Sequence, residues 1–263
     1  MLFIFLPLKL INMCQEGAYI MEWIKRNEQF EYLASKAWIM KQGWENVLFL
    51  HWPISTEYLR PLIPDALEID TYGGQAWLGI IVFEMEGIYP RGFSRLSLTP
   101  RFSEINVRTY VTYKGEPGIY FLSIDVNNWA SLHIAKRWYR LPYHPSKVSI
   151  QKEGDSIHFE GVRKKEPLYI KGSYSPKNEI FFSRADSLDY WLTERYRLYS
   201  TDIFSNLYTA SIDHPPWILQ KADVTLGKNT LFSPFNFNLA GNTPVAHYSS
   251  GVQTNFWNIK KLT

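Results

Sequence analysis

Cysteine is almost absent from this sequence: Cys14 is the one thiol in 263 residues. An intramolecular disulfide and a cysteine zinc cluster are therefore excluded. No Asn-x-Ser/Thr glycosylation acceptor with a non-proline middle residue occurs. Both absences lead us to expect a cytoplasmic protein. Long apolar runs are also missing. Residues 1–13 are apolar around Lys9 and Pro7, but a bilayer span takes about 20 residues. The stretch lacks the basic start and small-x-small cleavage site of a signal peptide. Met21 reads as a second start, so residues 1–20 are expected to be an extension and residues 21–263 a single domain. No membrane association is expected.

Several chemistries are excluded by missing motifs. Neither G-x-x-x-x-G-K-[ST] nor G-x-G-x-x-G is present to cradle phosphate. Gly92-Phe93-Ser94 lacks the second glycine of a nucleophile elbow. The six histidines (51, 133, 144, 158, 214 and 247) form neither H-x-H nor H-E-x-x-H, so no metal site and no cofactor is expected. Charge is nearly balanced, 28 basic against 25 acidic residues. The densest basic run, Arg163-Lys164-Lys165, is short and followed by Glu166. Nucleic-acid binding would concentrate such residues on one face, so it is not expected.

What the sequence has in quantity is aromatic side chains: 10 Trp, 17 Tyr and 16 Phe. Aromatics favour strands, line ligand pockets, and on an outer patch would mark a homo-oligomer interface. With 46% hydrophobic and 20% charged residues, the chain has the make-up of a globular domain.

The patterning predicts many short strands and few helices. Residues 46–52 read as a buried strand. Ser55 followed by Glu57 predicts a capped helix over 57–62. Residues 67–70 and 75–85 flank Tyr72-Gly73-Gly74 and read as a hairpin. The stretch 88–99 reads as a long loop. Residues 104–113 alternate: Ile105, Val107, Thr109 and Val111 share one face, and Asn106, Arg108, Tyr110 and Thr112 the other. Residues 119–126 follow as a strand after a turn, and 129–140 show helical spacing. Further strands are expected over 147–152, 157–162, 168–174, 195–199 and 206–213, with a serine-capped helix over 187–194. Beyond 213, short strands broken by Gly and Pro are expected. The class is α+β, mainly antiparallel β.

A few polar residues stand where packing alone would not place them. If the Asn106–Arg108–Tyr110 face lines a lumen, Arg108 can grip a carboxylate through two parallel hydrogen bonds. On an exposed sheet face it would be an ordinary surface arginine. Glu194-Arg195 is either an inward pair that orients a ligand or a local surface ion pair. In Asp213-His214-Pro215-Pro216-Trp217, the histidine either takes its tautomer from the carboxylate or caps backbone groups. His51 and His247 read as core histidines.

Larger stretches carry a resemblance. Tyr58-Leu59-Arg60-Pro61-Leu62-Ile63-Pro64-Asp65-Ala66-Leu67-Glu68 resembles the L-R-x-x-x-P-x-x-L-E motif of acetoacetate decarboxylase. Ala135-Lys136-Arg137-Trp138-Tyr139-Arg140-Leu141-Pro142 resembles its G-R-E…P-K-K segment. A closer match is the YqjF-like family, over residues 38–257. It is carried by Phe49-Leu50-His51-Trp52-Pro53, Glu104-Ile105-Asn106-Val107-Arg108-Thr109-Tyr110, Leu141-Pro142-Tyr143, Leu192-Thr193-Glu194-Arg195-Tyr196 and His214-Pro215-Pro216-Trp217. The resemblance implies an acetoacetate decarboxylase-like β-barrel or sheet with a pocket. It does not imply decarboxylation. Where the decarboxylase carries its imine-forming lysine, this chain has Tyr143 and His144, and neither forms an imine. Glu104 lies where the decarboxylase carries a pocket glutamate. The resulting expectation is a protein that binds a small carboxylate or aromatic molecule through Arg108, Tyr110, Arg137, Glu194, Arg195, His214 and Trp217. The alternative is an enzyme using His144, Tyr143 and Glu104 in acid–base chemistry.

Overall fold

The alternation read over 104–113 is realised in strand β4, Phe102–Tyr113, and both of its faces are buried. The computed structural model describes residues 37–93, 97–127, 139–163, 168–237, 239 and 242–263. Within them Trp38–Thr263 is one compact unit. The expectations for residues 1–20 and for most of the 129–140 helix lie outside the described residues, as does Arg137.

In chain order the other strands are β1 Met40–Ile54, β2 Glu68–Ile69, β3 Ala76–Pro90, β5 Glu116–Val126, β6 Tyr143–Glu153, β7 Ser156–Arg163, β8 Leu168–Phe181, β9 Arg197–Thr201, β10 Leu207–Asp213, β11 Leu219–Asn229, β12 Val245–Phe256 and β13 Lys260–Lys261. Helix α1 spans Thr56–Leu59, with Ser55 as its N-cap. Helix α2 spans Leu188–Thr193 and is capped by Ser187. Both caps were foreseen from the serine before an acidic first turn.

The thirteen strands form one large, mainly antiparallel sheet. Its pairings return on themselves. From β5 they run through β6, β7, β8, β11, β12, β1, β3 and β4 back to β5. A shorter route runs from β5 through β9 and β10 to β12 and returns through β1, β3 and β4 to β5. Two pairings are parallel, β5 with β6 and β5 with β9.

Strands β1, β3 and β4 belong to both routes, and this accounts for their composition. A strand buried on both faces reads as a continuous apolar run. Val47, Phe49, Trp77, Ile81, Phe83 and Met85 enter one core. Their alternating neighbours Leu48, Leu50, Leu78, Ile80, Val82, Ile105 and Val107 enter another.

Three expectations change. The 67–70 and 75–85 segments are not a hairpin: β2 pairs with β4, and the glycine turn closes only a bridge between Tyr72 and Gln75. The 88–99 loop is shorter than predicted, because β3 continues to Pro90 and Leu98 N–H donates to Ile88 O. The region after 213 contains two long strands, β11 and β12, rather than short broken ones. Gly251, which reads as a breaker, sits mid-strand at φ +135°. A Cβ there would lie 2.0 Å from Trp44 O, so a glycine is what lets β12 pass the irregular part of β1.

Candidate functional site

The first of these cores is not filled. It encloses a cavity of about 90 Å³. A buried water needs about 10–15 Å³ of such space, so the cavity has room for a small molecule of several heavy atoms. Its walls are mostly apolar and aromatic, with Phe49, Phe83, Phe121, Ile124, Trp44 and Trp217 among them. Trp44 stacks on Trp217 at 6.1 Å and 15°. The register of β1 against β3 shifts between Gly43 and Trp44 and again between Glu45 and Leu48.

Polar groups enter this wall at few points. Glu104, Asn106 and Arg108 come from one face of β4, and Tyr143 from the start of β6. Arg195 and Thr193 come from the end of α2, and His214 from the turn after β10. Space for the arginine face is made by Gly79 on β3, whose Cα pairs with both His51 and Arg108. A Cβ at Gly79 would come within 3.0 Å of the His51 ring.

Glu104 is 4% exposed. Burial disfavours its charged form and pushes its pKa up to about 7, against the opposing effect of hydrogen bonds from Asn106 and Tyr143. Asn106 Nδ2 donates to Glu104 Oε1 at 3.2 Å. Tyr143 lies beside the same carboxyl, and burial, with Glu104 next to it, raises its own pKa well above the usual phenol value. A carboxyl raised to about 7 exchanges its proton near neutral pH, which is what acid–base chemistry requires.

The arginines form the opposite pole. Arg195 is buried; its Nη1 meets Asp70 Oδ2 at 2.7 Å, and its Nε donates to Trp191 O at 2.8 Å. The guanidinium lies 4.3 Å over Trp191 and 5.0 Å from the Tyr110 ring. Burial, with Arg108 nearby, lowers its pKa although Asp70 opposes this. Arg195 Nη2 and Arg108 Nε are buried with no protein partner. Arg108 Nη2 makes a long contact to Leu192 O at 3.5 Å, and its guanidinium lies 5.9 Å from the Phe49 and Tyr110 rings.

The remaining expected residues separate. Trp217 lines the cavity, and its backbone N–H donates to Glu194 Oε1 at 2.9 Å. Glu194 does not line it and does not pair with Arg195; its other oxygen accepts from Tyr196. Both residues are buried, so the surface ion-pair reading does not describe them. Tyr110 lies behind the arginines and supports them. Its hydroxyl donates to Leu192 O at 2.7 Å and meets His51 Nε2 at 2.7 Å. His214 stacks on Tyr196 at 4.7 Å, and its Nδ1 lies 2.8 Å from Pro215 O. A carbonyl only accepts, so Nδ1 carries the proton. His144 is half-buried and does not line the cavity; it follows Tyr143 on β6, so it takes the other face. His51 and His247 are fully buried core residues. Asp70 and Trp44 were missed. A carboxylate 125 positions before its arginine gives no local sequence signal.

Among the described residues, no group of three His, Cys, Asp or Glu is placed to hold a metal ion, and no helix is long and apolar enough to cross a membrane. Among the described residues, the lining includes no lysine.

Comparison with solved structures shows the fold. Acetoacetate decarboxylase from Legionella pneumophila superposes with a TM-score of 0.63 at 12% identity, covering 85% of this chain and 87% of that one. The enduracididine biosynthesis enzyme MppR, complexed with pyruvate, gives 0.64 at 11% identity over 86% of this chain and 91% of that one. An acetoacetate decarboxylase-like enzyme from Sphingomonas wittichii gives 0.61 at 11%, over 86% and 94%. In sequence, the uncharacterised protein YqjF of Bacillus subtilis is 41% identical over 225 residues, 85% of this chain and 93% of that protein. A family model described as an uncharacterised conserved protein matches residues 41–253. The chain therefore belongs to the DUF2071 family of uncharacterised conserved proteins, which has the acetoacetate decarboxylase-like fold.

Proposed function

We propose that the chain binds a small monocarboxylate in this cavity, without forming an imine. One observation carries the reading: Arg108 Nε and Arg195 Nη2 are buried N–H donors without protein partners, in a wall otherwise rich in aromatics. A buried, unpaired donor costs about 1–3 kcal/mol, more when charged. A carboxylate accepts from two such donors at once. The apolar walls favour a ligand with a compact hydrocarbon part. Among the described residues, the lining has no amine to attack a ketone. Among the structural relatives, one is named for acetoacetate and another was solved with pyruvate, and both of these are small oxo acids.

Isothermal titration of acetate, pyruvate and benzoate tests the reading. Arg108→Met is expected to weaken binding of whichever acids bind by about ten- to a hundredfold, as for a lost charge-assisted hydrogen bond. Lys147→Met, at an exposed position of β6, should leave binding unchanged. Equal affinity in the wild type and Arg108→Met would overturn the assignment.

A further inference from the structure

Between the acidic pole and the arginines stands Asn106, which is 4% exposed and lines the cavity. Its Nδ2 donates to Glu104, so its Oδ1 faces away from that carboxyl. That oxygen is buried and accepts no hydrogen bond.

Among the described residues of the wall, the donors without a partner are Arg108 Nε and Arg195 Nη2, which the carboxylate takes, and the other donors point elsewhere. Trp44 Nε1 donates to Gln42 Oε1 at 3.1 Å, and Trp217 Nε1 to Thr193 O at 3.0 Å. The Thr193 hydroxyl donates to Asp189 O at 2.8 Å, and the Tyr139 hydroxyl to Trp257 O at 3.3 Å. The Tyr143 side chain lies beside Glu104, and His214 Nδ1 donates to Pro215 O. Among the described residues of the lining, both indole N–H groups and the Thr193 and Tyr139 hydroxyls are therefore directed elsewhere. A buried acceptor of this kind fits a donor carried by the ligand.

Glu104, Asn106 and Arg108 follow one another on the same face of β4, successive side chains being about 7 Å apart. A ligand whose carboxylate meets Arg108 and Arg195 therefore extends past Asn106 toward Glu104. We propose that the ligand is a short hydroxy acid, its carboxylate held by Arg108 and Arg195 and its hydroxyl donating to Asn106 Oδ1. This rests on the carboxylate reading above. The corresponding oxo acid brings a carbonyl, an acceptor, against an acceptor. An amine would also donate, but it would bring a cation beside two guanidinium groups.

Matched ligands test this by titration calorimetry on the full chain: lactate, pyruvate and alanine, then 3-hydroxybutyrate, acetoacetate and 3-aminobutyrate. In at least one series the hydroxy acid should bind tenfold or more tightly than its oxo and amino partners, because a site built for a hydroxyl rejects an analogue that leaves its polar group unpaired. Asn106→Leu should lose that preference while keeping affinity for the oxo acid. The wild-type ratios need no variant, so poor folding of Asn106→Leu leaves the test intact. Oxo acids binding as well as or better than hydroxy acids would overturn the hydroxyl assignment and leave the carboxylate site standing. Tightest binding by the amino acids would overturn it in favour of an ammonium. Binding of none of the six, with no effect of Arg108→Met on any acid, would overturn the underlying reading itself.

Discussion

The environment of Glu104 departs far from what its local sequence shows. In the unfolded chain its carboxyl has the ordinary value of 4.5; in the fold it is raised to about 7, chiefly by burial. Below pH 4.5 the group is protonated in both states and costs nothing. Between pH 4.5 and 7 the folded state holds the proton more tightly, so stability falls as pH rises, and the full cost is present above pH 7. The shift corresponds to roughly 3 kcal/mol at most. Glu104→Gln removes this titration. Urea unfolding should show the wild type losing stability relative to the variant between pH 4.5 and 7.5; a constant difference would contradict the burial argument. At this scale the sequence was partly legible. Period-2 alternation put Asn106, Arg108 and Tyr110 on one face, but whether that face met solvent or a lumen depended on partners far along the chain. Tyr110 is the example: it shares the face of Arg108 yet spends its hydroxyl on Leu192 O and His51 rather than on the cavity.

Helix α2 shows how one short element is held against the cavity. A helix of 6 residues has little stability of its own, so its position comes from tertiary contacts. Tyr110 holds Leu192 O, and Trp217 Nε1 holds Thr193 O. At its first turn Asp189 meets Lys221 Nζ at 2.9 Å and His247 Nε2 at 2.9 Å. Hydrogen bonding from His247, ahead of that from Lys221, lowers the Asp189 pKa to about 2 although partial burial opposes it. A lowered carboxyl contributes stability above its unfolded value of 3.8, and that contribution is lost as pH falls through about 2. The site is partly exposed, so solvent screening limits it to about 1 kcal/mol. Asp189→Asn should lower the melting temperature by about 2–4 °C at pH 7, and the difference should shrink between pH 4 and pH 2. Calorimetric melts across that range check it. The helix and its serine cap were readable locally. Its anchors on β11 and β12 were not, because those strands read as broken segments before their pairing was known.

The whole molecule depends on strands that serve two cores, and a buried ion pair lies beside their junction. Asp125 on β5 accepts from Arg163 Nε at 2.9 Å and Nη2 at 2.8 Å, and from the Ser146 hydroxyl. Asp125 is 3% and Arg163 6% exposed, and the contacts join β5, β6 and β7. Removing one partner of such a pair strands a buried charge, at about 3–5 kcal/mol. Arg163→Met should therefore be strongly destabilising in thermal unfolding. Arg163→Met combined with Asp125→Leu should recover most of the loss. A single variant as stable as the wild type would show that the pair does not hold the junction. In the sequence Arg163 reads as part of a short basic surface run, since nothing local distinguishes it from Lys164. The sequence by itself determined the class of the fold, most of the strands and both helix caps, because periodicity and capping act over a few positions. Only the tertiary structure decided which faces are buried, that Arg195 pairs with Asp70 rather than Glu194, and that Tyr143 but not His144 reaches the cavity. Those outcomes follow from strand pairings between residues far apart in the chain, where a side chain's surroundings are set by neighbours that its own segment does not encode.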